Sequence, residues 1–132
     1  SEKALAVMSK LSAKTPDNFE YKRNLAIYDT EKSRAQIKLK QPDKAIISLQ
    51  KVIEIMIPII ENNKETTYQY DLSMAYRLSA EAYFQKGNKQ KAVEFIDKAI
   101  PLVQKLKDEN ALRDADKNLL TELEQEKILY AK

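Results

Sequence analysis

The chain has no cysteine, no histidine and no tryptophan, and only one glycine in 132 residues. Without cysteine there is no disulfide framework and no thiolate to bind a metal. Without histidine the commonest neutral metal ligand and the usual carrier of protons near pH 7 are both missing. One glycine and four prolines are too few turn formers for a fold of many short strands, and they leave no Gly-rich loop to cradle a phosphate. The longest apolar run, VIEIMIPII at 52–60, contains a glutamate and is too short to cross a bilayer. No charged-then-apolar leader opens the chain. These absences point away from an enzyme, a metal or cofactor protein and a membrane protein, and make a cytoplasmic location the expectation.

Ala, Leu, Lys, Glu and Gln, all good helix formers, dominate what is present. With 43% hydrophobic and 33% charged residues, the composition is that of one all-α domain with a core of its own. The net charge of +3 comes from 23 basic and 20 acidic residues interleaved along the chain. The concentrated basic face of a nucleic-acid binder is therefore not expected.

The segment KAIISLQKVIEIM at 44–56 is written again as KAVEFIDKAIPLV at 91–103, a shift of 47 (91 − 44). The same shift lays Tyr21 on Tyr68, Leu25 on Leu72, Ala35 on Ala82, Leu49 on Ile96 and Ile53 on Ile100. A third, partial copy matches Leu119 to Leu72 and Tyr130 to Tyr83, and Leu5 matches Val52. Apolar residues three, four and seven apart put Leu25, Tyr28, Ala35 and Leu39 on one helical stripe, and Leu72, Ala75, Tyr76 and Tyr83 on another. Ala45, Leu49, Val52, Ile53 and Met56 form a third, and Ala92, Ile96, Ala99, Ile100 and Val103 a fourth. Each unit thus reads as two amphipathic helices.

The TPDN stretch at 15–18 is a helix start signal. QPD at 41–43 and KGN at 86–88 read as turns within units, with Gly87 supplying a left-handed helix end. NNK at 62–64 and KDEN at 107–110 read as turns between units. Six helices are expected, at 2–14, 17–40, 43–61, 65–86, 89–106 and 109–131. They group into a partial unit (1–14), two full units (17–61 and 65–106) and a capping helix (109–131) of what should be a larger protein. Pro58 and Pro101 fall inside helices, where a bend is favoured over termination because Leu102, Val103 and Leu106 keep helical spacing afterwards.

Tyr83, Ala92, Ile96 and Ala99, with Gly87 in the turn, resemble the tetratricopeptide repeat: a large residue ends helix A and small ones sit where helix B crosses it. Gln36, Ala45, Leu49 and Val52 repeat the pattern less closely, and the PDN-x2-Y-x3-LA stretch at 16–26 is similar to the openings of lengthened repeats of this type. The unit here is longer than the usual 34 residues or so, and lacks the family's tryptophan and the proline after helix B. Armadillo or HEAT-type repeats are the competing assignment. The resemblance implies an α-α superhelix of stacked hairpins. Small residues at Ser33, Ala80, Ala45, Ala92 and Ala99 would let helices cross closely, and Tyr76, Tyr83 and Phe84 would fill the gaps.

Nothing in the sequence assembles a catalytic, cofactor-binding or metal site; the carboxylates of ELEQE at 122–126 share a helix with lysines. Most tyrosines fall on apolar stripes, Tyr28 and Tyr70 being the freer ones. The resemblance implies protein or peptide binding on a concave face lined by helices A. That face would carry Ile27, Thr30, Glu31, Arg34 and Lys38 from one unit and Met74, Arg77, Leu78, Glu81 and Gln85 from the next. Arg34 and Arg77 are the candidates for gripping an acidic ligand group, unless each pairs along its own helix. The alternative is a homodimer, a module that organises a multidomain signalling protein, with the apolar run from Met56 to Ile60 as its face.

Overall fold

In a computed structural model the described residues, 19–132, form five α-helices and one short 3₁₀ turn: α1 (Phe19–Lys38), α2 (Pro42–Asn62), α3 (Thr66–Lys86), α4 (Lys89–Asp108), the turn Asp114–Asp116, and α5 (Leu119–Ala131). No strand occurs among the described residues. The expected helix at 2–14, the start signal at 15–18 and Leu5 lie outside the described residues.

Each helix packs on the next in order, and α1 also touches α3. The ends follow from local chemistry. α2 opens with Pro42, whose missing N–H would be unsatisfied at that position anyway. Asn88 caps α4 by accepting a hydrogen bond from the Lys91 N–H at 3.1 Å. Three helices close in the same way, with a left-handed residue followed by a backbone N–H reaching the carbonyl five residues back: Lys40 with Gln41 to Gln36, Gly87 with Asn88 to Tyr83, and Asn110 with Ala111 to Leu106. This is the Schellman closure. α2 and α4 run through Pro58 and Pro101, as the surviving helical spacing implies.

The 47-residue period holds closely in the second helices. Ala45, Leu49, Val52, Met56 and Ile59 are buried in α2, and Ala92, Ile96, Ala99, Val103 and Leu106 in α4. Ser33 and Ala80, also 47 apart, are both fully buried. Tyr76, Tyr83 and Phe95 form an aromatic seam between α3 and α4, with ring centroids 6.1 Å and 5.4 Å apart.

Three expectations need correction. The buried face of α1 is Ala26, Asp29, Ser33 and Ile37; Ala35 is exposed, Leu39 is 67% exposed, and Leu25 and Tyr28 are only half-buried. Polar residues occupy two of those four positions, and the Ser33 hydroxyl is satisfied within its own helix by donating to the Thr30 carbonyl. The last helix begins at Leu119, ten residues later than expected from 109, because the left-handed Asn110 turns the chain out of α4 and extended Arg113 precedes the 3₁₀ turn. The third copy is also out of step by one. Leu119 is buried 47 residues beyond Leu72, as expected, but Leu120, Leu123 and Tyr130 are buried 48 residues beyond buried Leu72, Ala75 and Ala82, so Tyr130 takes the place of Ala82, in the core shared with the preceding hairpin, and not that of Tyr83.

Candidate functional site

The first helices of the hairpins, α1, α3 and α5, line a run of hollows on one side of the stack. The largest, about 470 Å³, is lined by Arg34 from α1, by Met74, Arg77, Leu78 and Glu81 from α3, and by Glu126 and Tyr130 from α5. A second, about 150 Å³, includes Ile27, Thr30, Glu31, Arg34 and Met74. A third, about 170 Å³, lies beside Arg34, Ile37, Lys38, Leu78 and Glu81. Ile27 is 40% exposed, an isoleucine open to solvent in a hollow it shares with half-buried Thr30, Arg34 and Met74.

Three side-chain links join these helices. Arg23 of α1 donates from Nε to Asp71 Oδ2 of α3 at 2.9 Å and lies over the Tyr68 ring. The Gln85 side-chain amide donates to the Ile37 carbonyl at 3.0 Å, tying the end of α3 to the end of α1. Arg77 reaches from α3 to α5, its Nε donating to both Glu126 carboxylate oxygens at 3.0 and 3.1 Å and its Nη2 to Glu122 at 3.3 Å, with a further Nη2 contact to Glu126. Burial alone would lower the pKa of that guanidinium, but the hydrogen bonds and charge of Glu126, aided by Glu122, hold it above its ordinary value.

Of the residues singled out from sequence, Ile27, Thr30, Glu31, Arg34, Lys38, Met74, Arg77, Leu78 and Glu81 thus line this connected set of hollows. Gln85 does not, since its amide is turned onto the α1 backbone. Arg34 pairs along its own helix with Glu31, at 3.5 Å and largely in water. Arg77 pairs across helices, an arrangement that neither the ligand-gripping nor the own-helix reading anticipated. Sequence reasoning missed Glu126 and Tyr130, whose only advance signal was their place in the third copy.

Tyr130 is 6% exposed and packs its ring on Phe84 at 4.7 Å. Burial, then the charges of Glu126 and Glu81, push its phenol up to about 12 against the opposing effect of Arg77. It stays neutral at every physiological pH. The run proposed for a dimer face is only partly open: Met56 and Ile59 are 0% and 1% exposed in the core shared with α3, while Ile57 is 38% exposed. No cluster of acids that could hold a metal, and no helix long and apolar enough to cross a membrane, occurs among the described residues.

The tetratricopeptide repeat family model matches residues 30–55 and 72–102. Each match straddles a turn between paired helices, α1 to α2 and α3 to α4. No curated protein and no solved structure matches the chain.

Proposed function

We propose, from the premise that the chain belongs to the tetratricopeptide repeat family, that it is a non-enzymatic binding domain holding a peptide or protein segment in the hollows along α1, α3 and α5. Repeats of this family mediate protein–protein interaction. The observation that carries the choice of face is the meeting of exposed Ile27, half-buried Met74 and unburied charges at Arg34 and Glu81 on the surface where three hollows adjoin. Apolar anchors ringed by charge are what a recognition surface needs. The links through Arg23, Arg77 and Gln85 hold the face in shape before a partner arrives, which lowers the ordering cost of binding.

A photo-crosslinking residue placed at Ile27 or Met74, compared with one at the more exposed Ile47 of α2 (56% exposed), tests the face. Discrete adducts from native extract at 27 and 74 but not at 47 are expected. Equal adducts at 47, or none at 27 and 74, would overturn the assignment.

A further inference from the structure

The lining of the largest hollow is balanced, Arg34 and Arg77 against Glu81 and Glu126, and the ion-pair partners behind it tip the balance. The residues lining it and their ion-pair partners bring four carboxylates, Glu31, Glu81, Glu122 and Glu126, against two guanidinium groups, Arg34 and Arg77. Arg77 is saturated by the two α5 glutamates and Arg34 leans on Glu31. Glu81 is exposed and has no ion-pair partner among the described residues. Lys38 and Arg34 place positive charge on the α1 side, so the surplus of acid belongs to the side built by α3 and α5.

A second observation, independent of that charge, marks the same place. Tyr130 is more than nine-tenths buried, lines the hollow and makes no hydrogen bond among the described residues. Its hydroxyl is not sealed off: it opens onto the hollow, a position from which a bound group can reach it. Met74 and Leu78 provide apolar surface beside it.

We propose that this hollow receives a lysine or arginine side chain of the bound segment, its aliphatic stem against Met74 and Leu78 and its cationic head between the Glu81 carboxylate and the Tyr130 hydroxyl. The inference rests on the binding-face reading above and reverses the sign expected from the two arginines alone. A long cationic side chain combines an apolar stem with a charged head, matching the lining in both respects. Its ammonium or guanidinium would donate a hydrogen bond to the Tyr130 hydroxyl, in place of one made with solvent, and supply the counter-charge that Glu81 lacks.

The test uses a library of random nonapeptides displayed on phage and selected on the whole chain, with the retained peptides made synthetically. Their affinities are measured for the wild type, Glu81→Gln and Tyr130→Phe, and their binding sites are mapped by amide shift changes. Enrichment of Lys or Arg is expected, with shifts along α1, α3 and α5. Glu81→Gln should weaken binding about three- to tenfold and Tyr130→Phe about two- to threefold. Glu81→Gln is an exposed, nearly isosteric change, so a melt matching the wild type will separate lost binding from lost folding. Peptides that bind these helices but are enriched in Asp or Glu, or keep their affinity for Glu81→Gln, would overturn this inference and leave the binding face standing. Recovery of no peptides, or shifts confined to other surfaces, would overturn both.

Discussion

The two hairpins differ most where they should be alike. In the second, Tyr76, Tyr83 and Phe95 close the seam between α3 and α4, with the Lys98 ammonium 5.0 Å from the Phe95 ring centroid. At the corresponding places 47 residues earlier stand Asp29, Gln36 and Ser48, with Lys51 in the place of Lys98. Ser48 donates to Gln36 Oε1 at 2.9 Å. Asp29 is 1% exposed, and its Oδ1 has no partner. Yet both hairpins bury matching residues on their second helices, apart from Ser48, whose counterpart Phe95 is only half-buried. What they share is the small pair at the crossing, Ser33 with Ala45 and Ala80 with Ala92, each at 0% exposure, together with the helix-closing geometry at Lys40 and Gly87. Close approach and chain reversal define the hairpin, while the seam beside them can change chemistry altogether.

The largest effect that sharpens this contrast is in the aromatic seam. Phe95→Ala should cost about 2–4 kcal/mol in urea unfolding, since it strips contacts from two rings at once. Ser48→Ala, its counterpart, should stay near 1 kcal/mol. Next comes the crossing itself: Ala92→Leu and Ala45→Leu should each cost about 1–3 kcal/mol through overpacking, and a thermal melt unmoved by either would break the shared plan.

Asp29→Asn should act in the opposite direction, raising stability by about 1 kcal/mol at pH 7 by removing an unpaired buried charge. Burial raises the Asp29 pKa, although Lys51 and Lys32 pull it down. The folded state therefore binds this proton more tightly than the unfolded chain, and stability falls as pH rises from the ordinary aspartate range through the raised value. The gain from Asn should shrink as pH is lowered below that range, which urea titrations at pH 3.5 and 7 would show.

The smallest effect concerns the caps. Lys40, at φ 59, holds a left-handed conformation that glycine adopts without strain, so Lys40→Gly should stabilise by about 0.5–1 kcal/mol. Gly87→Ala should cost about 1 kcal/mol, as strain alone, because no atom lies within 4 Å of the added carbon. Thermal melts of the two variants should move in opposite directions.

The shared plan was legible in the sequence, and the unequal seam was not. Ala45, Leu49, Val52 and Met56 announce α2 by apolar spacing, and a copy 47 residues on doubles the signal. Ser33 was legible as a small residue at the helix crossing, but the burial of Asp29 was not, because its polarity gives no sign that the opposite helix covers it. The pairing of Arg77 with Glu126 joins residues 49 apart on helices whose adjacency exists only after stacking. Tyr130 was placed in the repeat but assigned the role of Tyr83. The segment between α4 and α5 adds one residue to the period, and a single residue turns a helix by about 100°. Ile27, Arg34 and Met74 were legible as residues of the face lined by the first helices, where they border the hollows, because that face repeats with the hairpin, whereas the ion pairing of Arg77 depended on the stacking of α5.

One hairpin plan with two unequal seams implies unequal local stability, as expected of stacked units that contact only their neighbours. Native-state amide hydrogen exchange, resolved helix by helix at pH 7, measures this directly. Amides in the middle of α1 and α2 should open with a lower free energy than those of α3 and α4, and Asp29→Asn should narrow the gap. Equal protection across the four helices, or greater protection in α1 and α2, would contradict the account.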